Sequence, residues 1–265
     1  MKSVIIIPAR YASSRLPKKL LLCETGKPLI QHTYESALKA TLPISVTVAC
    51  DHEEIFSTVR HFGGSVCMTD PNASSGTDRI AEVAAALNDV DIVVNVQGDE
   101  PEIVGTAIDL AIQMLIDNPD AVMSTLATPI RNRRQLEDAA CVKVVFDATG
   151  RALYFSRSVI PHPRKGIRDE HFTQSPPLFY QHIGLYAYRC EFLLRLSRLP
   201  QSAMEKTESL EQLRALHHGY SIMVGVVDDA TVGIDTPEDY RKFVERLQHR
   251  GGILVEKQRA SSVGT

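Results

Sequence analysis

The sequence predicts an α/β protein built on a doubly wound, mostly parallel sheet. Two features carry that prediction: short apolar, β-branched runs alternate with stretches of helical spacing, and each run is bounded by polar or turn residues. Length agrees, because 265 residues with 44% hydrophobic and 23% charged side chains can bury a sizeable core.

Val4–Ile7, Val46–Ala49, Val66–Met68 and Ile92–Val96 read as buried strands. Between them, Leu29–Lys39, Glu53–Phe62 and Thr77–Leu87 have helical spacing; Ile80, Val83, Ala84 and Leu87 fall on one helix face. The second half is less regular. Met123–Thr128, Val142–Phe146, Ala152–Phe155, His182–Tyr188 and Ile222–Val227 are its candidate strands, and Ser209–His217 and Pro237–Gln248 its helices. Pro161–Pro177 carries 4 of the 14 prolines and is expected to be a long exposed loop, a candidate lid. From Gly251 onward a frayed tail is expected.

Composition removes several function classes. With 29 Lys+Arg against 32 Asp+Glu the net charge is −3, which argues against a nucleic-acid or anionic-membrane binder. Trp is absent, so aromatic platforms for single strands are not expected. Cys23, Cys50, Cys67, Cys141 and Cys190 are widely spaced with no C-x-x-C pair, giving no disulfide framework or zinc knuckle. They read as thiols of a reduced, cytoplasmic protein. The start, Met1 to Pro8, is too short an apolar stretch for a signal peptide, and no run approaches the roughly 18 residues of a membrane span.

In a doubly wound fold, ligands sit outside the C-terminal ends of the strands. That directs attention to Pro8–Lys19, Thr69–Arg79 and Gln97–Pro101. The first segment holds Arg10, Arg15, Lys18, Lys19 and the adjacent Ser13 and Ser14, a composition suited to a polyphosphate. It is neither a Walker A loop nor a G-x-G-x-x-G turn, and the plain alternative is a solvated basic loop. Asp99 is spared from capping if Pro101 opens a helix. Asp235 is spared likewise, because Thr236 is the natural N-cap before Pro237. Two such carboxylates suit a hard cation such as Mg²⁺ that also binds phosphate oxygens; the alternative is two ordinary loop aspartates. H-E-x-x-H and G-x-S-x-G are absent, and Ser36–Lys39 matches S-x-x-K without its companion motifs.

Together, Ile7–Tyr11, Ser14–Pro17 with Lys19, Ser75–Arg79, Val94–Pro101, Ala152–Arg157, His182–Tyr186, Leu210–Arg214 and Asp235–Asp239 resemble the 3-deoxy-manno-octulosonate cytidylyltransferase (CMP-Kdo synthetase) family, in order from residue 4 to about 247. The resemblance implies a nucleotide-diphospho-sugar-transferase-like α/β fold in one domain over 1–250. Within it, about 1–128 would bind nucleotide, an embedded lobe at about 129–225 would bind sugar and dimerise, and about 226–250 would return to the sheet before a flexible tail at 251–265. It implies a cytoplasmic homodimer that joins CTP to Kdo with release of pyrophosphate, for lipopolysaccharide biosynthesis.

Carried over by position, Asp99, Asp235, Lys19 and Arg10 would be catalytic, with Mg²⁺ on the two aspartates. Ala9, Arg10, Arg15, Lys19, Ser75, Thr77 and Gln97 would contact the nucleotide. Gln97, Arg157, His182, Tyr186, Glu211 and Gln212 would line the sugar pocket. An arginine can offer the sugar carboxylate two parallel hydrogen bonds, and its hydroxyls suit the neutral and acidic side chains. Lys18 and Leu20 stand where the family usually has Gly and Pro, and Lys18 is expected to add charge beside the triphosphate. Alternatives are a cytidylyltransferase for a related acid such as 8-amino-3,8-dideoxy-manno-octulosonate, or a non-catalytic nucleotide-binding module.

Overall fold

The computed structural model describes residues 1–228 and 233–262, with side chains through His249. In chain order its elements are β1 (Ser3–Ala9), α1 (Leu29–Ala37), β2 (Pro43–Cys50), α2 (Glu53–His61), β3 (Val66–Met68), α3 (Gly76–Ala85), β4 (Ile92–Asn95), α4 (Gly105–Asp117) and β5 (Met123–Pro129). The chain continues with α5 (Arg133–Glu137), β6 (Lys143–Phe146), β7 (Ala152–Ser156), α6 (Glu170–Thr173), β8 (Tyr180–Arg189), α7 (Cys190–Leu196), α8 (Ala203–Glu208), α9 (Gln212–His217), β9 (Ile222–Val226) and α10 (Pro237–Ser262).

The main sheet runs β3-β2-β1-β4-β8-β5-β9. β8 lies antiparallel to both neighbours, so six of these seven strands share one direction, as expected of a mostly parallel sheet. Successive β1 residues point to opposite faces. Ile5 and Ile7 pack with Leu29, Ile30, Ile55, Ile108 and Phe243, while Val4 and Ile6 pack with Ile80, Ala84, Leu193 and Leu213. Helices on both faces explain why β1 is buried along its whole length. After β1 the chain crosses to β2 on one side and later to β4 on the other. The β1/β4 boundary is therefore the topological switch point, where a crevice is expected.

Some expectations change. Pro101 does not open a helix; the chain turns through 97–104 and α4 begins at Gly105. α4 has no counterpart among the expected helices, because Ile108, Leu110, Ile112, Met114 and Leu115 leave little polar face to reveal its period. Pro161–Pro177 is not wholly exposed. It contains α6, whose His171 and Phe172 are buried, and Phe172 joins Ile130, Leu136, Cys141 and Phe179 in a small core of its own. The tail expected to fray from Gly251 is α10 helix through Ser262, while side chains beyond His249 and residues 263–265 lie outside the described residues.

Candidate active site

β1 delivers Pro8 and Ala9 to the switch point, and the following loop wraps a cleft of about 350 Å³ lined by Arg10, Arg15, Lys19, Gln97, Asp99 and Asp235 among others. Leu16 and Leu20 are buried and anchor the loop, and Lys19 opens a short 3₁₀ turn over Lys19–Leu21. From there the Lys19 ammonium donates to Asp99 and, at 3.1 Å, to Asp235 Oδ1. Arg15 pairs with the same Asp235 oxygen at 3.1 Å. Arg10 is exposed, and its guanidinium donates to the Ala73 carbonyl at 3.1 Å, tying the loop to the start of α3.

Local sequence explains why the two aspartates converge. Thr236 caps α10, accepting from the Asp239 amide at 3.2 Å, while Asp239 accepts from the Thr236 amide at 2.9 Å, so Asp235 is free of capping duty. The Ile234 amide donates to the Asp99 carbonyl at 2.9 Å and joins the two loops directly. At Gly98 a Cβ would lie 3.0 Å from the Pro8 carbonyl oxygen, so only glycine lets these loops approach without displacement. Thr33 Oγ1 donates to the Gly98 carbonyl at 2.8 Å and fixes the turn from below.

Two supporting residues have no role assigned from the sequence: Asp51, and Arg79 at the end of the Ser75–Arg79 motif. Asp51, just past β2, accepts the Tyr11 amide at 2.8 Å and pairs with Arg79 at 3.2 Å. Arg79 is wholly buried; its Nη1 reaches Thr69 Oγ1 and the Asp70 carbonyl, and its Nε has no partner among the described residues. This pair couples the loop after β1 to α3. Asp51's place just after a strand was the available signal.

Lys18 corrects an expectation. It adopts a left-handed backbone, φ 51°, and its ammonium turns away to Glu54 at 2.9 Å and over the Tyr11 ring at 5.2 Å. Tyr11 also donates to Glu54 at 2.7 Å and stacks on His52, ring centroids 3.7 Å apart. Lys18 is thus a latch on the outside of the loop and does not line the cleft.

Ser75 Oγ caps α3 by accepting the Asp78 amide at 3.0 Å, and the buried Thr77 hydroxyl donates to Glu211. Glu211 leads into α9, where buried Gln212 has an Nε2 without a protein partner among the described residues. Gln97 donates to Asn95 Oδ1 at 3.3 Å, and Asn95 faces Tyr186 across the β4/β8 pair. Tyr186 and His182 bring their rings to 5.3 Å. These residues form one polar patch beside the cleft. Burial lowers the His182 imidazolium to about 3, raises the Tyr186 phenol well above its ordinary value and raises the Glu211 carboxyl.

Arg157 sits at the edge of that patch. Its Nε donates to the Glu208 carbonyl at 2.6 Å, its Nη1 to the Ala139 carbonyl at 3.1 Å, and its backbone amide to the Glu208 carboxylate at 2.9 Å. Its Nη2 also reaches the Ser209 carbonyl at 3.5 Å, so it clamps the turn that leads to Glu211 while two of its five N–H groups have no partner among the described residues. Beneath it, the buried Glu205–Arg214 pair, with Nε to Oε2 at 2.9 Å, holds α8 against α9.

Comparison with known proteins decides the family. The cytidylyltransferase family model matches residues 4–222. A 3-deoxy-manno-octulosonate cytidylyltransferase from Rhodopirellula baltica is 48% identical over 248 residues, covering 94% of this chain and 99% of that protein. The chain belongs to this cytidylyltransferase family. The enzyme of that name from Geotalea daltonii is 48% identical over 254 residues, covering 95% of this chain and all of its own. A solved structure of CMP:2-keto-3-deoxy-manno-octonic acid synthetase complexed with CTP superposes with a TM-score of 0.87 at 40% identity, covering 94% of this chain and 100% of that one. The resemblance of the ordered motifs is thereby borne out, and with it the cytidylyltransferase fold. Among the described residues no helix is long and apolar enough to cross a membrane.

Proposed function

We propose that this cytidylyltransferase couples CTP to 3-deoxy-manno-octulosonate, giving CMP-Kdo and pyrophosphate. One observation carries the reading: Lys19 is bound to both Asp99 and Asp235 at the mouth of a cleft that also holds Arg10 and Arg15. Cations for a triphosphate and carboxylates for a metal ion occupy one place, beside a polar patch suited to a polyhydroxy acid.

The donor set fits Mg²⁺. Asp99 and Asp235 offer hard oxygens, and among the described residues no third His, Cys, Asp or Glu joins them, which leaves room for phosphate oxygens and waters. When bound, the ion supplies charge neutralisation at the α-phosphate and acidifies a coordinated hydroxyl. Arg10, Arg15 and Lys19 hold the β- and γ-phosphates and stabilise the departing pyrophosphate. Ser75, Thr77 and the Ala9 backbone orient the nucleotide. Gln97, His182, Tyr186, Glu211 and Gln212 position the sugar hydroxyls, and the uncommitted N–H groups of Arg157 receive its carboxylate. The anomeric hydroxyl then attacks the α-phosphorus in line. Buried His182 is neutral at working pH and acts by hydrogen bonding.

A cytoplasmic homodimer completes the reading, with light scattering as its check on assembly. Pyrophosphate release with CTP or UTP, against Kdo, 8-amino-Kdo and N-acetylneuraminate, tests the chemistry. Release with CTP and Kdo is expected; none with any pair overturns the proposal.

A further inference from the structure

The β5/β8 pair contains an irregularity at the polar patch. Thr125 faces Tyr186, yet its neighbour Leu126 faces Ile183, so Gly184 and Leu185 bulge out of β8. In a regular strand, residues four apart are separated by about 13 Å. The bulge shortens that reach and brings the His182 and Tyr186 rings to 5.3 Å.

Thr125, wholly buried, fills the bulge from the opposite strand. Its Oγ1 lies 2.8 Å from the Leu185 carbonyl, 3.0 Å from the Ile183 carbonyl and 2.9 Å from His182 Nε2. A hydroxyl has one proton, and a carbonyl oxygen only accepts. If that proton went to His182, two carbonyl oxygens would face hydroxyl lone pairs. If it goes to Leu185, the nearer carbonyl, or is shared with Ile183, the carbonyls take the one proton, and the His182 contact is satisfied when Nε2 carries the hydrogen and donates to Thr125. Phe155, edge-on to the imidazole at 5.0 Å, keeps the ring in this plane.

We propose that Thr125 is a positioning residue: its hydroxyl pins the β8 bulge and holds His182 as the Nε2–H tautomer, leaving Nδ1 as an acceptor for a hydroxyl of the sugar acid. The substrate half of this statement rests on the function proposed above; the tautomer half stands without it. Burial, which disfavours the imidazolium, is in keeping with a neutral ring. Specificity follows, because a fixed acceptor at Nδ1 rewards a donor and gives nothing to a substrate lacking it.

The test is ¹⁵N NMR of the full-length protein with labelled histidine, His182 being assigned by its disappearance in His182→Gln. At pH 7 without substrate, His182 is expected as the neutral, Nε2-protonated form. Thr125→Val is expected to lose that fixed tautomer and to raise KM for the sugar acid about tenfold, with KM for CTP within twofold. Thr125→Ser, which restores the hydroxyl, should return both readings to those of the parent. An Nδ1-protonated or cationic His182 in the parent protein overturns the proposal, as does Thr125→Val with an unchanged tautomer and unchanged sugar KM. If Thr125→Val does not fold, the parent spectrum and Thr125→Ser decide. A protein inactive on every sugar acid would remove the function reading while leaving the spectrum to judge the tautomer.

Discussion

Lys19 Nζ lies 3.1 Å from Asp235 Oδ1 while it also donates to Asp99, so one ammonium holds together two carboxylates brought in by β4 and by the turn before α10. The Lys19 side chain is only 12% exposed, which strengthens its pull on both. An incoming metal–triphosphate complex would compete for the same oxygens.

Lys19→Met should therefore lower kcat/KM for CTP by about 10²- to 10³-fold, the scale of losing one transition-state donor. Steady-state kinetics with CTP as the varied substrate measures it. A loss below threefold would place Lys19 outside the reacting centre.

Asp235→Asn replaces one of the two carboxylates with a neutral amide and should raise the Mg²⁺ concentration for half-maximal turnover at least tenfold. Chelation with EDTA should abolish turnover, and Mg²⁺ should restore it. Unchanged Mg²⁺ dependence in the variant would sink the assignment.

Asp51→Ala leaves the wholly buried Arg79 guanidinium uncompensated and should destabilise the protein by about 3–5 kcal/mol, read from the denaturant midpoint at constant m. KM for CTP should rise as well, since the Tyr11 amide loses its acceptor.

Lys18→Ala should change KM for CTP by less than about threefold, because the ammonium faces Glu54 and the pair is solvent-exposed. Lys18→Gly should hold the loop at least as well as Ala, as glycine takes φ 51° without strain. A tenfold rise in KM in either variant would return Lys18 to the triphosphate.

Glu211 gives a pH signature. Burial raises its folded-state pKa, so the folded state binds this proton more tightly than the unfolded one and loses stability as pH rises through the window between the two values. Glu211→Gln should raise Tm above that of the parent at pH 8, and the difference should vanish as pH falls below the ordinary glutamate range. It should also raise KM for the sugar acid.

The strands were legible because β-branched runs buried on both faces stand out against their polar bounds, as at Ile5–Ile7 and Val93–Val94. Strand direction was not: nothing in His182–Tyr188 tells that β8 runs against its neighbours. That Asp235 is spared from capping is legible because Thr236 caps by a local rule, whereas Pro101 does not start a helix because the chain inserts a further turn. Lys18 was misplaced because composition records charge and not direction. Asp51, Arg79 and Thr125 depend on contacts between distant segments, which a single sequence does not display.

Pro129, the last residue of β5, pairs with Tyr180, the first of β8, and the Ile130 amide donates to the Phe179 carbonyl at 2.9 Å. Residues 130–179 thus leave and rejoin the main strands at adjacent points, and they are tied in again where the His182 amide donates to the Val142 carbonyl at 2.8 Å and the Val224 amide to the Gly150 carbonyl at 2.7 Å. The excursion is braced and not hinged: Arg157, which it carries, and His182, on the strand it rejoins, sit in one frame, so a change in its outer turns would leave their spacing intact.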